Sequence, residues 1–94
     1  MEPLHRIERR IAVRLPADGE VFLRQPGVLA ATFTGHLLDT SATGFRARHR
    51  RLDLASGQAV DFDMAGHTGQ ARAVWTRIVG DDAETGFHIL NSQA

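Results

Sequence analysis

Gln58-Ala59-Val60-Asp61-Phe62-Asp63-Met64-Ala65-Gly66-His67-Thr68-Gly69-Gln70-Ala71-Arg72-Ala73-Val74-Trp75-Thr76-Arg77-Ile78 holds two runs, Gln58 to Met64 and Gln70 to Ile78, parted by a glycine-containing break. Each run alternates apolar with polar residues, the period of a strand with one buried face. Working outward, the same short, partly alternating runs recur at Gly44 to Arg48, Leu29 to Leu38, Glu20 to Arg24 and Ile11 to Leu15, and again at Thr85 to Leu90. Turn-forming residues separate them: Pro16-Ala17-Asp18-Gly19, Gln25-Pro26-Gly27, Ser56-Gly57 and Gly80-Asp81-Asp82. No long stretch keeps a helical period, and Arg50 to Ala55 has room for a turn or two at most. Many short strands at roughly ten-residue spacing predict an all-β antiparallel barrel of six or seven strands.

The chain has 94 residues, enough for one domain with a single modest core. Its 43% apolar content is that of a folded globule. Eleven basic residues, all arginine, balance eleven acidic ones, so no global field draws the protein to DNA or an acidic membrane. With no cysteine, disulfides and thiolate metal sites are excluded. No apolar stretch approaches 18 residues and no charged-then-apolar leader is present, which predicts a soluble, cytoplasmic protein without membrane insertion. Residues 1–8 read as a flexible N-terminal arm, 9–90 as the barrel domain and 91–94 as a short tail.

Two polar signatures stand out in the first half. Arg10-x-x-x-Arg14 lies within Arg9-Arg10-Ile11-Ala12-Val13-Arg14, and Arg6 continues the four-residue step. On a helix these arginines share a face; on a strand they also share one, spaced about 13 Å per step. Guanidinium groups fork onto phosphates or onto the O6/N7 edge of guanine. The bland reading is a solvated face in which Glu8 pairs with its neighbours. The second signature is Asp39-Thr40-Ser41-Ala42-Thr43-Gly44, a connection between two strands. Asp and Ser bond to backbone in turns, and Gly supplies a positive φ or a close backbone approach, so a plain turn explains it. The same turn can also present the Asp39 carboxylate to the N–H donors of guanine, with Ser41 adding a hydroxyl and Gly44 room for a ligand.

In this order, and followed by Gly69-Gln70-Ala71-Arg72-Ala73-Val74-Trp75 and Gly86-Phe87-His88-Ile89, the two signatures resemble the PilZ domain over nearly the whole chain, His5 to Leu90. The resemblance implies a PilZ-like β-barrel and a non-enzymatic receptor for cyclic di-GMP, needing no other cofactor. In that family the arginine motif leads into the first strand, which implies Arg10 and Arg14 as ligand-binding, with Arg9 auxiliary. Asp39, Ser41 and Gly44 match the second motif without departure. The implied action is a change in the N-terminal arm on binding, signalled through an effector protein. The alternative is a PilZ-like protein-interaction module that works without nucleotide. The sequence departs from the family where a C-terminal helix often follows the barrel: only residues 91–94 come after Leu90.

The remaining polar residues carry less. Five scattered histidines lack metal-site spacing. Ser41, His36 and Asp39 lack an oxyanion-hole loop to make a hydrolase. Arg46, Arg48 and Arg50 share one face and read either as a charged edge strand or as a basic wall beside the turn. Trp75 is expected in the core, the alternative being an aromatic near the strand end that stacks on a guanine. The acidic Asp81-Asp82-x-Glu84 segment is expected as a loop, which would oppose an anionic ligand if it lay close to the site. Six aromatics without basic interleaving speak against a nucleic-acid barrel.

Overall fold

Alternation along every strand buries one side chain in two, and the chain closes that buried face on itself. The computed structural model describes residues 15–27 and 32–93. Seven strands appear in it: β1 (Leu15–Pro16), β2 (Glu20–Arg24), β3 (Thr32–Thr40), β4 (Gly44–His49), β5 (Ala59–Met64), β6 (His67–Val79) and β7 (Asp82–Gln93). All pairings are antiparallel, in the order β1-β3-β2-β5-β6-β7-β4, and β3 also pairs with β4. That last pairing makes a closed six-stranded barrel with one extra strand, as the sequence predicts.

The extra strand continues β2. Leu15 faces Thr40 and Pro16 faces Asp39, whereas Glu20 faces His36, a register one residue out of step. Residues 17–19 are therefore a bulge along one β3 edge, held by Ala17 N–H to the Leu38 carbonyl and Leu37 N–H to the Gly19 carbonyl. Pro16, expected in a turn, lies in this short strand. At the other end, β7 runs to Gln93, so residues 91–93 are strand rather than tail.

Val21, Leu23, Leu37, Phe45, Ala47, Val60, Phe62, Ala71, Ala73 and Phe87 fill the barrel, and Leu54 closes it from the β4–β5 connection. Phe45 stacks on Phe87 at 4.8 Å and meets Phe62 edge-on at 5.4 Å. His49 is the polar member of this end, 3% exposed. Its Nδ1 accepts the Arg51 N–H at 3.0 Å, so the proton sits on Nε2 and is donated to Thr85 Oγ1 at 2.7 Å. Thr85 in turn meets the Thr76 hydroxyl at 2.8 Å.

Burial, and then the Arg51 charge, hold the His49 pKa below its ordinary 6.5, with Asp82 opposing. The unfolded chain takes up this proton near pH 6.5 and the folded chain only at lower pH. Stability therefore falls as pH drops through that value and levels off once the folded form also protonates. Thermal unfolding between neutral and acidic pH should show this loss, and His49→Asn, which keeps an acceptor but cannot titrate, should flatten it.

The β5–β6 hairpin turns through Ala65 and Gly66, with φ of 50° and 86°, the type I′ geometry. A left-handed alanine costs about 1 kcal/mol. Ala65→Asn should recover roughly that amount in urea denaturation, since asparagine tolerates this conformation and favours the turn.

Candidate functional site

Asp39 ends up near the close of β3 rather than in the loop, and is 8% exposed. A one-residue bulge at Leu38 separates the Leu37–Ala47 pair from the Asp39–Arg46 pair and sets Asp39 beside Arg46 on the outer wall. Arg46 Nε and Nη2 both reach Asp39 Oδ2 at 2.7 Å. The turn itself is residues 41–43. Ser41 N–H bonds the Gly44 carbonyl at 2.8 Å, and Ser41 Oγ accepts weakly from Thr43 N–H at 3.4 Å. The Thr43 carbonyl accepts from Ile89 N–H at 2.8 Å, pinning the turn to β7.

Gly44 begins β4 opposite His88. A Cβ there would lie inside the van der Waals radius of the Phe87 carbonyl oxygen. Close approach of two backbones, not a positive φ, is what requires this glycine. Gly44→Ala must therefore part β4 from β7, and should lower unfolding free energy by about 3 kcal/mol in chemical denaturation.

Gly86, on β7, has a comparable duty. It pairs with Arg46 on one side and Trp75 on the other, and a Cβ would sit 2.5 Å from the Trp75 indole. Trp75 therefore lies across Gly86 on the outer wall, 38% exposed, and not in the core. The cause is a bulge in β6 between Ala73 and Trp75, which shifts the alternation and turns the indole outward. Thr43, Gly44, Val74, Trp75, Gly86, Phe87 and His88 line a groove of about 180 Å³ between the turn and the indole. A larger depression of about 280 Å³ lies by the far end of β4, where Arg48, Arg50, Glu20 and Asp82 line it. Its cations are already matched, Arg50 to Asp82 at 3.1 Å and Arg48 to Glu84 at 2.9 Å, and the rings that line it are the imidazoles of His36 and His49.

Glu84 lies in β7, not in an acidic loop. The hairpin turn is Gly80-Asp81, with φ of 64° at Gly80 alone, the type II′ pattern. Only 7% of the Glu84 side chain is exposed. It takes Arg48 Nη2 at 2.9 Å, Arg77 Nη2 at 2.9 Å and Nε at 3.2 Å, with Arg46 Nη1 at 3.9 Å. The bond from Arg48, then that from Arg77, hold its carboxyl below the usual range, against the opposing effect of burial. β4 pairs with β3 on one side and β7 on the other, so Arg46 and Arg48 do not guard an edge.

Thus Asp39, Ser41 and Gly44 lie together at one end of the β3–β4 hairpin, as expected of one motif. Arg9, Arg10 and Arg14 lie outside the described residues. Sequence reasoning missed Gly86 as a lining residue of the groove and the Glu84–Arg77 pair that backs Trp75, and placed Trp75 inside. The adjacent bulky pair Val74-Trp75, in a strand otherwise alternating alanine with polar residues, is the one signal of the bulge. Among the described residues, no cluster of three or more His, Asp or Glu is arranged to hold a metal. A scan against models of known protein families and a search of curated proteins both return no match for this chain.

Proposed function

We propose that this protein is a non-enzymatic, cytoplasmic receptor for cyclic di-GMP that signals to an effector protein through its N-terminal arm. The observation that carries the reading is the groove between the Asp39-x-Ser41-x-x-Gly44 turn and the Trp75 indole. Trp75 supplies an aromatic ring for a purine, and Thr43 and Gly44 bring the end of the turn to the groove, with Asp39 and Ser41 just beyond its lining. Its 180 Å³ is small beside the usual range of about 300–1,000 Å³ for ligand pockets. It suits one ring system, and a dinucleotide needs a further wall.

The arginine motif is tethered within reach of that position. Leu15 pairs with Thr40, at the base of the turn, and Arg14 is bonded to Leu15. Arg10 is five residues from Leu15, a span of at most about 17 Å. Guanidinium groups brought there would meet the two phosphodiesters and guanine edges of the ligand. Ordering the arm over the ligand then supplies the switch, with a free energy no larger than the ligand's preference for the ordered form.

A second reading is favoured by one specific feature. Asp39 is nearly buried and already bonded to Arg46, and Ser41 and Gly44 have architectural duties of their own. A protein-interaction module that works without nucleotide needs nothing more from them. Calorimetric titration with cyclic di-GMP separates the two. Binding at micromolar ligand is expected, and no heat at tens of micromolar rejects the receptor in favour of the module. If binding is seen, Arg14→Ala and Asp39→Ala should each weaken it by roughly 10- to 100-fold, the worth of a charge-assisted bond. Arg6→Ala should change it by less than about twofold, and equal losses at Arg6 and Arg14 would reject the assignment of Arg10 and Arg14 as the clamp.

A further inference from the structure

Four strands, β3, β4, β7 and β6, set their outward side chains in two adjacent rows across the wall behind the groove, the first row crossing all four and the second crossing β4, β7 and β6. One row runs Asp39, Arg46, Gly86, Trp75, and the next runs Arg48, Glu84, Arg77. The rows are stitched together by charge. Arg46 reaches from Asp39 towards Glu84, at 2.7 and 3.9 Å, and Arg77 forks onto Glu84 at 2.9 and 3.2 Å. The Arg77 guanidinium carbon lies 6.0 Å from the Trp75 ring centroid, at the outer range of a cation–π contact. A continuous chain of contacts therefore joins the Asp39 carboxylate to the Trp75 indole by way of one carboxylate, and the indole lies across the glycine between them.

We propose that Glu84 is a positioning residue of the groove: through Arg46 it fixes the Asp39 carboxylate, and through Arg77 it fixes the plane of Trp75. The inference rests on the receptor reading for its ligand, but the coupling itself is a property of the unliganded protein. Glu84 is suited to the part because it is nearly covered, while Arg46 and Arg77 are 33% and 63% exposed on their side chains. Long, exposed arginines gain little by pairing for stability alone, whereas anchoring them to a buried carboxylate restricts where they point. Among the described residues, three guanidinium groups stand against the two carboxylates, one positive charge in excess, which suits an anionic ligand.

Trp75 is the chain's single tryptophan and there is no tyrosine, so intrinsic emission excited at the indole reports this wall directly. Glu84→Gln, which keeps the volume and one acceptor, should lower the fluorescence anisotropy of the free protein and shift its emission to the red. The same variant should weaken cyclic di-GMP by about tenfold, through groups it does not touch. In an Asp39→Asn background the added loss should shrink to about twofold, because that arm of the chain is already cut. Arg77→Gln, at an exposed side chain, should reproduce the fluorescence change with a smaller loss of affinity, and it carries the test if Glu84→Gln fails to fold. Unchanged anisotropy and emission in the folded variants overturn the proposal, as does wild-type affinity in Glu84→Gln. Failure of the wild-type protein to bind overturns the receptor reading instead, leaving the coupling to be decided by the fluorescence of the free protein.

Discussion

The barrel exists because β3 pairs along both edges, with β2 and then β1 on one and with β4 on the other. Its first half, to His36, pairs with β2, and its second half, from His36, pairs with β4. Pairing on both edges closes the sheet and removes the edges that an open sheet of this size would expose. It also fixes the bore. With six strands, the interior admits a line of three phenylalanines only if the facing walls are small, which is why Ala47, Ala71 and Ala73 are fully buried. An alanine-rich strand such as β6 has little hydrophobic signal of its own, and its burial follows from the aromatic residues opposite.

Closure has a second consequence for the charged residues. In a closed barrel every inner position is committed to the core, so arginines and carboxylates gather on the outer wall, where cross-strand neighbours decide their pairing. Arg24 with Asp61 at 2.5 Å and Arg50 with Asp82 at 3.1 Å are exposed pairs of this sort, each worth about 0–1 kcal/mol. Glu84 differs because three arginines cover it. Removing one partner of an exposed pair changes little, whereas removing Glu84 leaves three cations to rearrange beside Asp39 and Trp75. Electroneutrality of the whole chain hides this unevenness.

The regular parts of the fold were legible from sequence, and the bulges were not. Glu20–Arg24 was bounded without error because its alternation is strict and Gly19 and Gln25-Pro26-Gly27 flank it. The Ala65-Gly66 turn and the Gly80-Asp81 turn announced their hairpins through glycine. By contrast, a bulge inserts one residue with no composition of its own, and everything beyond it changes face. Strict alternation from Ala71 and Ala73 carries Trp75 into the core; the extra residue turns it outward. The end of β7 was missed for a different reason: residues 91–93 pair with β6 but bury nothing, so no apolar period marks them. Glu84 was misplaced because two aspartates beside it resemble a loop, although a two-residue turn needs only the first of them.

The second signature gives each of its three residues an architectural duty. Ser41 closes the turn, Gly44 admits the Phe87 backbone and Asp39 holds Arg46, so each residue has a structural reason to be there. Those duties do not compete equally with ligand binding. Gly44 and the Ser41 N–H are committed through backbone contacts that a ligand does not disturb. Asp39 is the exception, since any ligand that draws on its carboxylate must accommodate Arg46 as well. The two groups therefore act as one unit: a guanidinium bound to a carboxylate presents donors beside acceptors. Arg46 also lies 3.9 Å from Glu84, so the unit is anchored to the wall of the barrel as well as to itself.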